Sequence, residues 1–561
     1  MLVNYPKEYL KAIQSGEIVA NEKITKLYQR ECAYMDNAPR SDKWKWHYDQ
    51  SAANRHIEFI ERFCAQSKGE CGGKPLKLML WQKAGLSLLY GWIDEEGMRR
   101  FREFALFIGR KNGKTELAAA MSHDMLINDG ENGPEIVCAA NAKDQAMLLF
   151  TEAANMRQQS AALRMVEKKR RTDIYSEFNF GTLKALSSKT DNMDGLNLSF
   201  VIQDEIHEQK NSAMYDVLFQ SQAFRAQPIY MLISTNGFVR EAFFDAKYSE
   251  YANIALWNEG FEDYTVLPLI YELDNREEWT DEEAWIKANP GLGTIKKIDT
   301  LRNHVEKAQR NPQFLPTVLT KDFNLPENSA TGWLSYEEAN NTEVVDMEYL
   351  RNSYAIGGCD LSATTDLTCA TVIIRKPNDA NTYVLQKYFI PESKMDATRG
   401  DTNNNLEAPY KLWSEQGWLK ICEGATVNYH DVTEWFADLV REYNIRPLKI
   451  SYDAALSGYW AEEMKEYGFE MEKIRQGAFT WTYPMKLLHG AFAEHKIIYQ
   501  NNPMLKWCLL NTGVKTANAK GIESIMPVKG SSQKRIDGMV SLLNAWTGLY
   551  NDEEDYMRWI K

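Results

Sequence analysis

The 561-residue sequence has no run of about 18 consecutive apolar residues, which excludes a membrane-spanning helix. Its start, Met1-Leu-Val-Asn-Tyr-Pro-Lys-Glu8, lacks the apolar core of a secretion signal. Cysteine is sparse: Cys32, Cys64, Cys71, Cys138, Cys359, Cys369, Cys422 and Cys508 form no CxxC pair. The eight histidines show neither HExxH nor zinc-type spacing. No zinc-type signature is therefore present, and reduced thiols in a cytosolic compartment are expected. Net positive charge is also lacking, at −13. That figure describes only the average field, whereas a phosphate backbone is bound by local patches. From Lys473 to Arg535 there are ten Lys or Arg against two acidic residues, Glu494 and Glu523. Such a stretch suits a nucleic-acid backbone and equally a solvated basic face. Hydrophobic (44%) and charged (25%) fractions are those of a globular chain.

What is present begins with Phe104-Ala-Leu-Phe-Ile-Gly-Arg-Lys-Asn-Gly-Lys-Thr115. An apolar strand leads into a polar turn with two glycines, and Lys114-Thr115 opens an apolar-periodic helix reaching Ile127. This is the layout of a phosphate-binding loop. Glycines let backbone N–H groups crowd the phosphates, the lysine neutralises their charge, and the threonine hydroxyl holds Mg²⁺. The usual spacing wants glycine at 108, where Ile108 stands, and Gly109 falls one residue late. Arg110 is placed to present a guanidinium to the transferring phosphate. Upstream, Gln82 in Leu78-Met-Leu-Trp-Gln82 is a candidate for adenine, because its amide both donates and accepts.

Strand-like Glu135–Ala140 and a long helix from Asn141 follow, and strands alternating with helices predict a parallel sheet. Leu198-Ser-Phe-Val-Ile-Gln-Asp-Glu205 is a buried strand ending in two carboxylates, ninety residues after Lys114. Such a pair completes an ATP site: Asp204 holds Mg²⁺ and Glu205 polarises the attacking water. Ile229–Gly237 reads as another strand whose polar end, Ser234-Thr235-Asn236, can sense the γ-phosphate. The stretch 1–75 reads as a helical, aromatic-rich extension and 76–260 as the ATPase core. Residues 261–340 read as a small helical subdomain and linker.

The remainder, 341–561, opens with three turn-separated strands, 354–359, 369–375 and 382–390. Helix candidates at 410–416 and 432–443 precede a strand, Leu448–Asp453, and a last helix opens at Lys534-Arg-Ile-Asp537. One aspartate on the first strand (Asp360), one ending the fourth (Asp453) and one on the late helix (Asp537) is the plan of an RNase H-like nuclease. These carboxylates would bind two Mg²⁺ or Mn²⁺, which activate water and stabilise the leaving oxygen; Asp366 is a candidate assistant.

Taken in order, the motifs resemble the large subunit of tailed-bacteriophage terminases, from Trp46 to Trp546. The resemblance rests on Leu80-Trp-Gln82, Gly91-Trp92, Gly109–Thr115, Ala139-Ala140 with Asp144-Gln-Ala146, and Asp194-Gly-Leu196. It continues through Asp204-Glu-Ile-His207, Ser234-Thr-Asn-Gly237, Gly358-Cys-Asp-Leu-Ser362 with Asp366-Leu-Thr368, and Arg535-Ile-Asp-Gly538. It implies an α/β chain with an N-terminal ASCE P-loop ATPase, its sheet mostly parallel, and a C-terminal RNase H-like nuclease. Gln82, Gly109, Arg110, Lys111, Asn112, Gly113, Lys114, Thr115 and Asp204 would hold ATP and Mg²⁺. Glu205 would be the catalytic base and Arg110 the finger; Ser234, Thr235 and Asn236 would couple hydrolysis to movement. Asp360, Asp453 and Asp537 would carry the nuclease metals. Double-stranded DNA, a portal protein and a small terminase subunit are the implied partners. A homo-oligomeric ring, usually a pentamer, is also implied, in the bacterial host's cytoplasm and docked on the procapsid portal.

Three rival readings are weaker. A helicase-like or repair ATPase fused to a nuclease would need further helicase motifs between 237 and 350. An inactive portal-binding remnant would not retain Lys114, Glu205 and three aspartates. A transposase or integrase would leave 75–240 unexplained.

Overall fold

The apolar run at 104–108 lies in the interior of an eight-stranded sheet. The computed structural model describes all residues except 1, 187–194, 210, 239–241, 312–313, 328–331, 363–366, 394–408, 454–457, 520–521, 530–534 and 561. Asp194, Asp366 and Lys534 thus lie outside the described residues. The chain forms two units, Met1–Glu327 and Asn328–Lys561. No helix among the described residues is long and apolar enough to cross a membrane.

In the first unit the strands are β1 (Glu103–Phe107), β2 (Glu135–Ala140), β3 (Glu167–Lys169), β4 (Asp173–Ser176), β5 (Thr182–Ala185), β6 (Phe200–Asp204), β7 (Ile229–Ser234) and β8 (Val266–Ile270), ordered β8-β1-β7-β6-β2-β5-β4-β3. The first six in that order are parallel, and β4 and β3 close the far edge antiparallel. A parallel sheet is covered on both faces, which is why its strands read as unbroken apolar runs. Side chains alternate across it. Phe104 and Leu106 join one core with Leu117 and Met121 of helix α1 (Lys114–Ile127). Ala105 and Phe107 join the opposite core with Phe244 and Tyr251 of helix α2 (Phe243–Leu256).

The N-terminal stretch is helical, with helices Tyr5–Gln14, Glu22–Asp36 and Gln50–Phe63. Asn21 caps the helix Glu22–Asp36 and also donates to the carbonyls of Ile270 (2.9 Å) and Glu272 (3.1 Å), which pins the extension to the end of β8. The region after 260 differs from the expected helical subdomain, because its first element, β8, is a fully buried strand beside β1. Pro268 and flanking polar residues weaken its strand signature. Two short 3-10 helices, Arg276–Thr280 and Ala284–Lys287, and then the α-helices Ile298–Arg310 and α3 (Leu315–Lys321) follow, around a separate small core of Trp285, Leu301, Val318 and Phe323.

The second unit contains β9 (Tyr354–Asp360), β10 (Thr368–Arg375), β11 (Thr382–Pro391), β12 (Leu419–Cys422), β13 (Arg446–Asp453), β14 (Met471–Ile474) and β15 (Ile497–Ile498). Their order is β12-β11-β10-β9-β13-β14, with β15 also on β11. The predicted meander is β9-β10-β11, antiparallel, and β13 lies parallel to β9. Helices α4 (Ala478–Ala493) and α5 (Asp537–Asn551) pack into one core of this sheet with Tyr388 and Leu509. Part of the basic stretch forms a hairpin, β16 (Thr512–Ala519) with β17 (Ile522–Lys529).

Candidate active sites

The phosphate loop hangs between β1 and α1. Ile108 is buried in the core, and its N–H donates to Ser234 O (3.1 Å). The glycine is needed one residue later. A Cβ on Gly109 would stand 2.5 Å from Asp322 O and 2.8 Å from Asn289 Oδ1, so the departure from the usual spacing reflects close packing of the 285–323 segment. That segment also accepts from the loop backbone: Gly109 N–H donates to Ala288 O (3.2 Å) and Arg110 N–H to Lys321 O (2.8 Å). Lys111 (φ 65°) and Gly113 (φ 83°) adopt left-handed backbone, which turns the chain into the helix.

The predicted loop residues are brought together with different duties. The Asn112 side chain is fully buried and committed to shape: its Nδ2 donates to Gly109 O and Asn289 Oδ1 (both 2.9 Å), and its Oδ1 accepts from Gly291 N (3.1 Å). Only its backbone is left for a ligand. Gln82 caps its own helix, Leu80–Gly91, by accepting from Met79 N (2.8 Å), and its Nε2 faces Gly113. Arg110 and Lys111 are exposed, and Thr115 is half-buried.

Lys114 is buried at the first position of α1, and its Nζ has no hydrogen-bond partner among the described residues. Burial pushes this ammonium's pKa down, against the opposing pull of Glu205 and Asp204. Those two carboxylates end β6, and Asp204 accepts from Glu205 N–H (2.8 Å). Burial drives Asp204 up to about 6 despite Lys114. Burial also pushes Glu205 up, but a hydrogen bond from His207 and the charge of Lys114 outweigh it and leave the carboxyl at about 2. Glu205 takes left-handed backbone, φ 50°, ψ 45°. Ser234, Thr235 and Asn236 are buried at the end of β7, between β1 and β6.

Two buried residues at this junction escaped the sequence reading as functional candidates, His207 and Lys321. His207 Nδ1 stands 3.0 Å from Glu205 Oε2 and 2.9 Å from Ser234 Oγ, and its Nε2 is 2.9 Å from Lys321 Nζ. The signal for His207 was its place two residues after Glu205; Lys321 carried none.

In the second unit register alone pairs two of the three aspartates. Gly358 and Cys359 on β9 face Ser451 and Tyr452 on parallel β13, so Asp360 and Asp453 end neighbouring strands on the same side. Helix α5 runs back over β9. Ser541 Oγ reaches Gly358 O (3.2 Å) and Cys369 O (3.0 Å), and Asn544 Nδ2 donates to Cys359 O (2.9 Å), which brings Asp537, at the helix start, towards the same end. Burial, then the charge of Asp537, then Asp453 hold the Asp360 carboxyl well above the usual range, against Gln476 (Nε2 to Oδ1 3.5 Å) and Lys529. Among the described residues no three Asp, Glu, His or Cys side chains stand ready to share one ion. The aspartates converge without forming a finished cage.

Residues 80–253 match the family model "Terminase large subunit, ATPase domain", and 261–553 match "Terminase large subunit, endonuclease domain", the latter alone spanning more than half the chain. The chain belongs to the terminase large subunit family. It is 25% identical over 501 residues to the large terminase subunit of Enterobacteria phage HK97, covering 87% of this chain and 94% of that one. Identity is also 25% over 569 residues with the large subunit of Lactococcus phage p2, covering 98% and 99%. The crystal structure of the HK97 large terminase aligns with a TM-score of 0.47 at 22% identity, over 88% of this chain and 99% of that one. This terminase is therefore an ATPase and an endonuclease of viral DNA packaging, and the repair-ATPase alternative is not favoured. The endonuclease match begins at 261, ahead of β8, which belongs to the first unit's sheet.

Proposed function

We propose that this terminase hydrolyses ATP between Lys114 and Glu205 to drive double-stranded DNA into a procapsid, and cuts concatemeric DNA at Asp360, Asp453 and Asp537. The observation that carries the first half is the buried Lys114 ammonium with no hydrogen-bond partner among the described residues, beside two carboxylates. A buried cation without a hydrogen-bonded partner is costly, and a triphosphate would supply its acceptor. Thr115 and Asp204 fit a Mg²⁺ that shields phosphate charge. Glu205, ionised above about pH 2, orients and deprotonates the attacking water. The exposed Arg110 is free to swing to the transferring phosphate. The Nε2 of Gln82 faces the loop with its donor available to adenine, and Ser234-Thr235-Asn236 transmit the result.

The second half is supported by the convergence of three aspartates on one sheet end, with Asp360 raised well above the usual carboxylate range by its burial and by the charge of Asp537. Two Mg²⁺ or Mn²⁺ fit such a set and supply Lewis acidity to an in-line attack on a phosphodiester. The protein's part is to hold Asp360 and Asp537 against each other. Contacts to DNA are to phosphates, hence salt-sensitive and nearly independent of sequence. A portal protein, a small terminase subunit and a homo-oligomeric ring, a pentamer, complete the reading, set in the host cytoplasm.

The test is a paired assay of ATP turnover and plasmid cleavage with Mg²⁺ or Mn²⁺ in wild type, Glu205→Ala and Asp360→Ala. Glu205→Ala abolishing only ATP hydrolysis and Asp360→Ala abolishing only cleavage is the expected result. Normal cleavage by Asp360→Ala would sink the nuclease assignment.

A further inference from the structure

Beside Glu205 stands a side chain from just past its own strand end, which is in turn held by the helical segment that grips the phosphate loop. His207 Nδ1 meets Glu205 Oε2 at 3.0 Å and Ser234 Oγ at 2.9 Å. Ser234 Oγ donates to Thr235 O (2.7 Å), so it stands as acceptor towards His207. On the other side of the ring, Lys321 Nζ lies 2.9 Å from Nε2 and 3.1 Å from Asn236 O. An ammonium can only donate, so Nε2 must accept and the ring proton must sit on Nδ1, where it is donated to Ser234 Oγ with Glu205 Oε2 alongside at 3.0 Å. Lys321 is also the residue whose carbonyl receives the Arg110 N–H, at 2.8 Å. Space for the ring is made at Gly237, where any Cβ would collide with it.

We propose that His207 is a positioning residue for ATP hydrolysis, fixed as its Nδ1–H tautomer by Lys321, and that it holds the Glu205 carboxylate in register with Ser234 and the phosphate loop. This rests on the reading of Glu205 as the base. Glu205 sits in left-handed backbone, a conformation an ordinary residue keeps only where its surroundings impose it, and the Nδ1–H edge of His207 lies 3.0 Å from its carboxylate. The three parts that must act together, the base, the Ser234–Asn236 segment and the loop, meet through the His207 imidazole and Lys321, whose ammonium faces the ring and Asn236 O and whose carbonyl takes the Arg110 N–H.

The experiment measures steady-state ATP hydrolysis and binding of a fluorescent ATP analogue on the full chain. The proteins are wild type, Glu205→Ala, His207→Ala, His207→Asn and Lys321→Met. Asparagine places an N–H donor near the Nδ1 position but cannot reach Lys321. A hydrogen bond to a charged group that acts at the transition state is worth about tenfold to a hundredfold in rate. His207→Ala should lose that much in kcat, with analogue affinity and ATP KM within about threefold of wild type. His207→Asn should recover most of the loss, and Lys321→Met, which frees the tautomer, should fall between. His207→Ala retaining more than a third of wild-type kcat would overturn the proposal. So would His207→Asn being no better than alanine, or a loss of analogue binding in step with kcat in both variants, since either marks a merely structural role. Glu205→Ala with normal turnover would instead overturn the reading of the site itself.

Discussion

Gly358→Ala is a single-methyl test of how the nuclease site is assembled. Gly358 lies on β9 two residues before Asp360, beneath helix α5. A Cβ there would stand 2.7 Å from Ala545 Cβ and closer still to the Ala545 N and Ser541 O of the helix backbone, against ordinary contacts of 3.4–4 Å. Both partners are buried, so neither can yield cheaply. Overpacking costs about 1–3 kcal/mol, and backbone on both sides favours the upper end. The opposing gain from replacing glycine in a strand is about 0.5–1 kcal/mol, so the clash wins. For a unit of this size a net loss near 2 kcal/mol lowers the melting midpoint by roughly 4–8 °C. The functional effect should be larger. Helix α5 must lift by roughly 1 Å and carry Asp537 with it, and such a misplacement costs about a hundredfold in rate. Calorimetry of the full chain with parallel ATPase and plasmid-cleavage assays would show a destabilised transition, cleavage down about a hundredfold and ATP turnover unchanged. Wild-type cleavage and melting in Gly358→Ala would refute the idea that helix-to-strand contact sets the spacing of the aspartates.

Three further outcomes follow from the first unit and the thiols. Gly109→Ala should weaken ATP-analogue binding sharply, because its Cβ drives against Asp322 O and Asn289 and releases the segment that grips the loop; unchanged binding would remove that segment from the site. His123 is fully buried with both ring nitrogens facing acceptors, Glu167 Oε1 (2.8 Å) and Ala153 O (2.9 Å), so it carries two protons. Burial pushes its pKa down, but Glu167 overrides this and raises it. Stability from this pair is thus complete below about pH 6.5 and lost as pH rises through the elevated folded value. Urea midpoints across that range should fall in wild type and stay flat in His123→Gln, which starts about 3–5 kcal/mol lower. Of the eight cysteines only Cys71 is exposed, so a thiol reagent should titrate one cysteine in the native protein and all eight after denaturation.

The ATPase half was legible because its strands are buried on both faces. Phe104–Ile108, Phe200–Asp204 and Ile229–Ser234 are largely apolar runs, each ended by the polar residues proposed for the ATP site, so strand and candidate site could be read together. Val266–Ile270 escaped because a proline interrupts it at the sheet's edge. Asn112 misled for a different reason: a polar residue in a phosphate loop looks like a ligand group, and only the structure reveals that Asn289 and Gly291 consume its side chain. His207 and Lys321 lie 114 positions apart, and no local pattern links them. A contact made between elements so distant leaves no periodicity to read.

The nuclease half shows the same limit more sharply. Asp360, Asp453 and Asp537 could be picked out by the order of elements, but what brings them together is a set of absences of side chain. Gly358 admits α5 against β9, and Gly538 leaves room for the Tyr388 hydroxyl. Gly548 lets the helix pass Ser451, where a Cβ would come within 2.5 Å of its Oγ. Glycines in a strand or helix normally weaken it by about 0.5–1 kcal/mol each, so from the sequence they argue against the very elements they serve. The cost is offset by close approach, which Ser541 and Asn544 exploit by bonding directly to β9 carbonyls. A helix seated that deeply fixes its first residue as firmly as a strand fixes its last. The charge of Asp537 raises Asp360, so the deep helix seat brings the two together against their repulsion, although among the described residues the aspartates stop short of a finished cage.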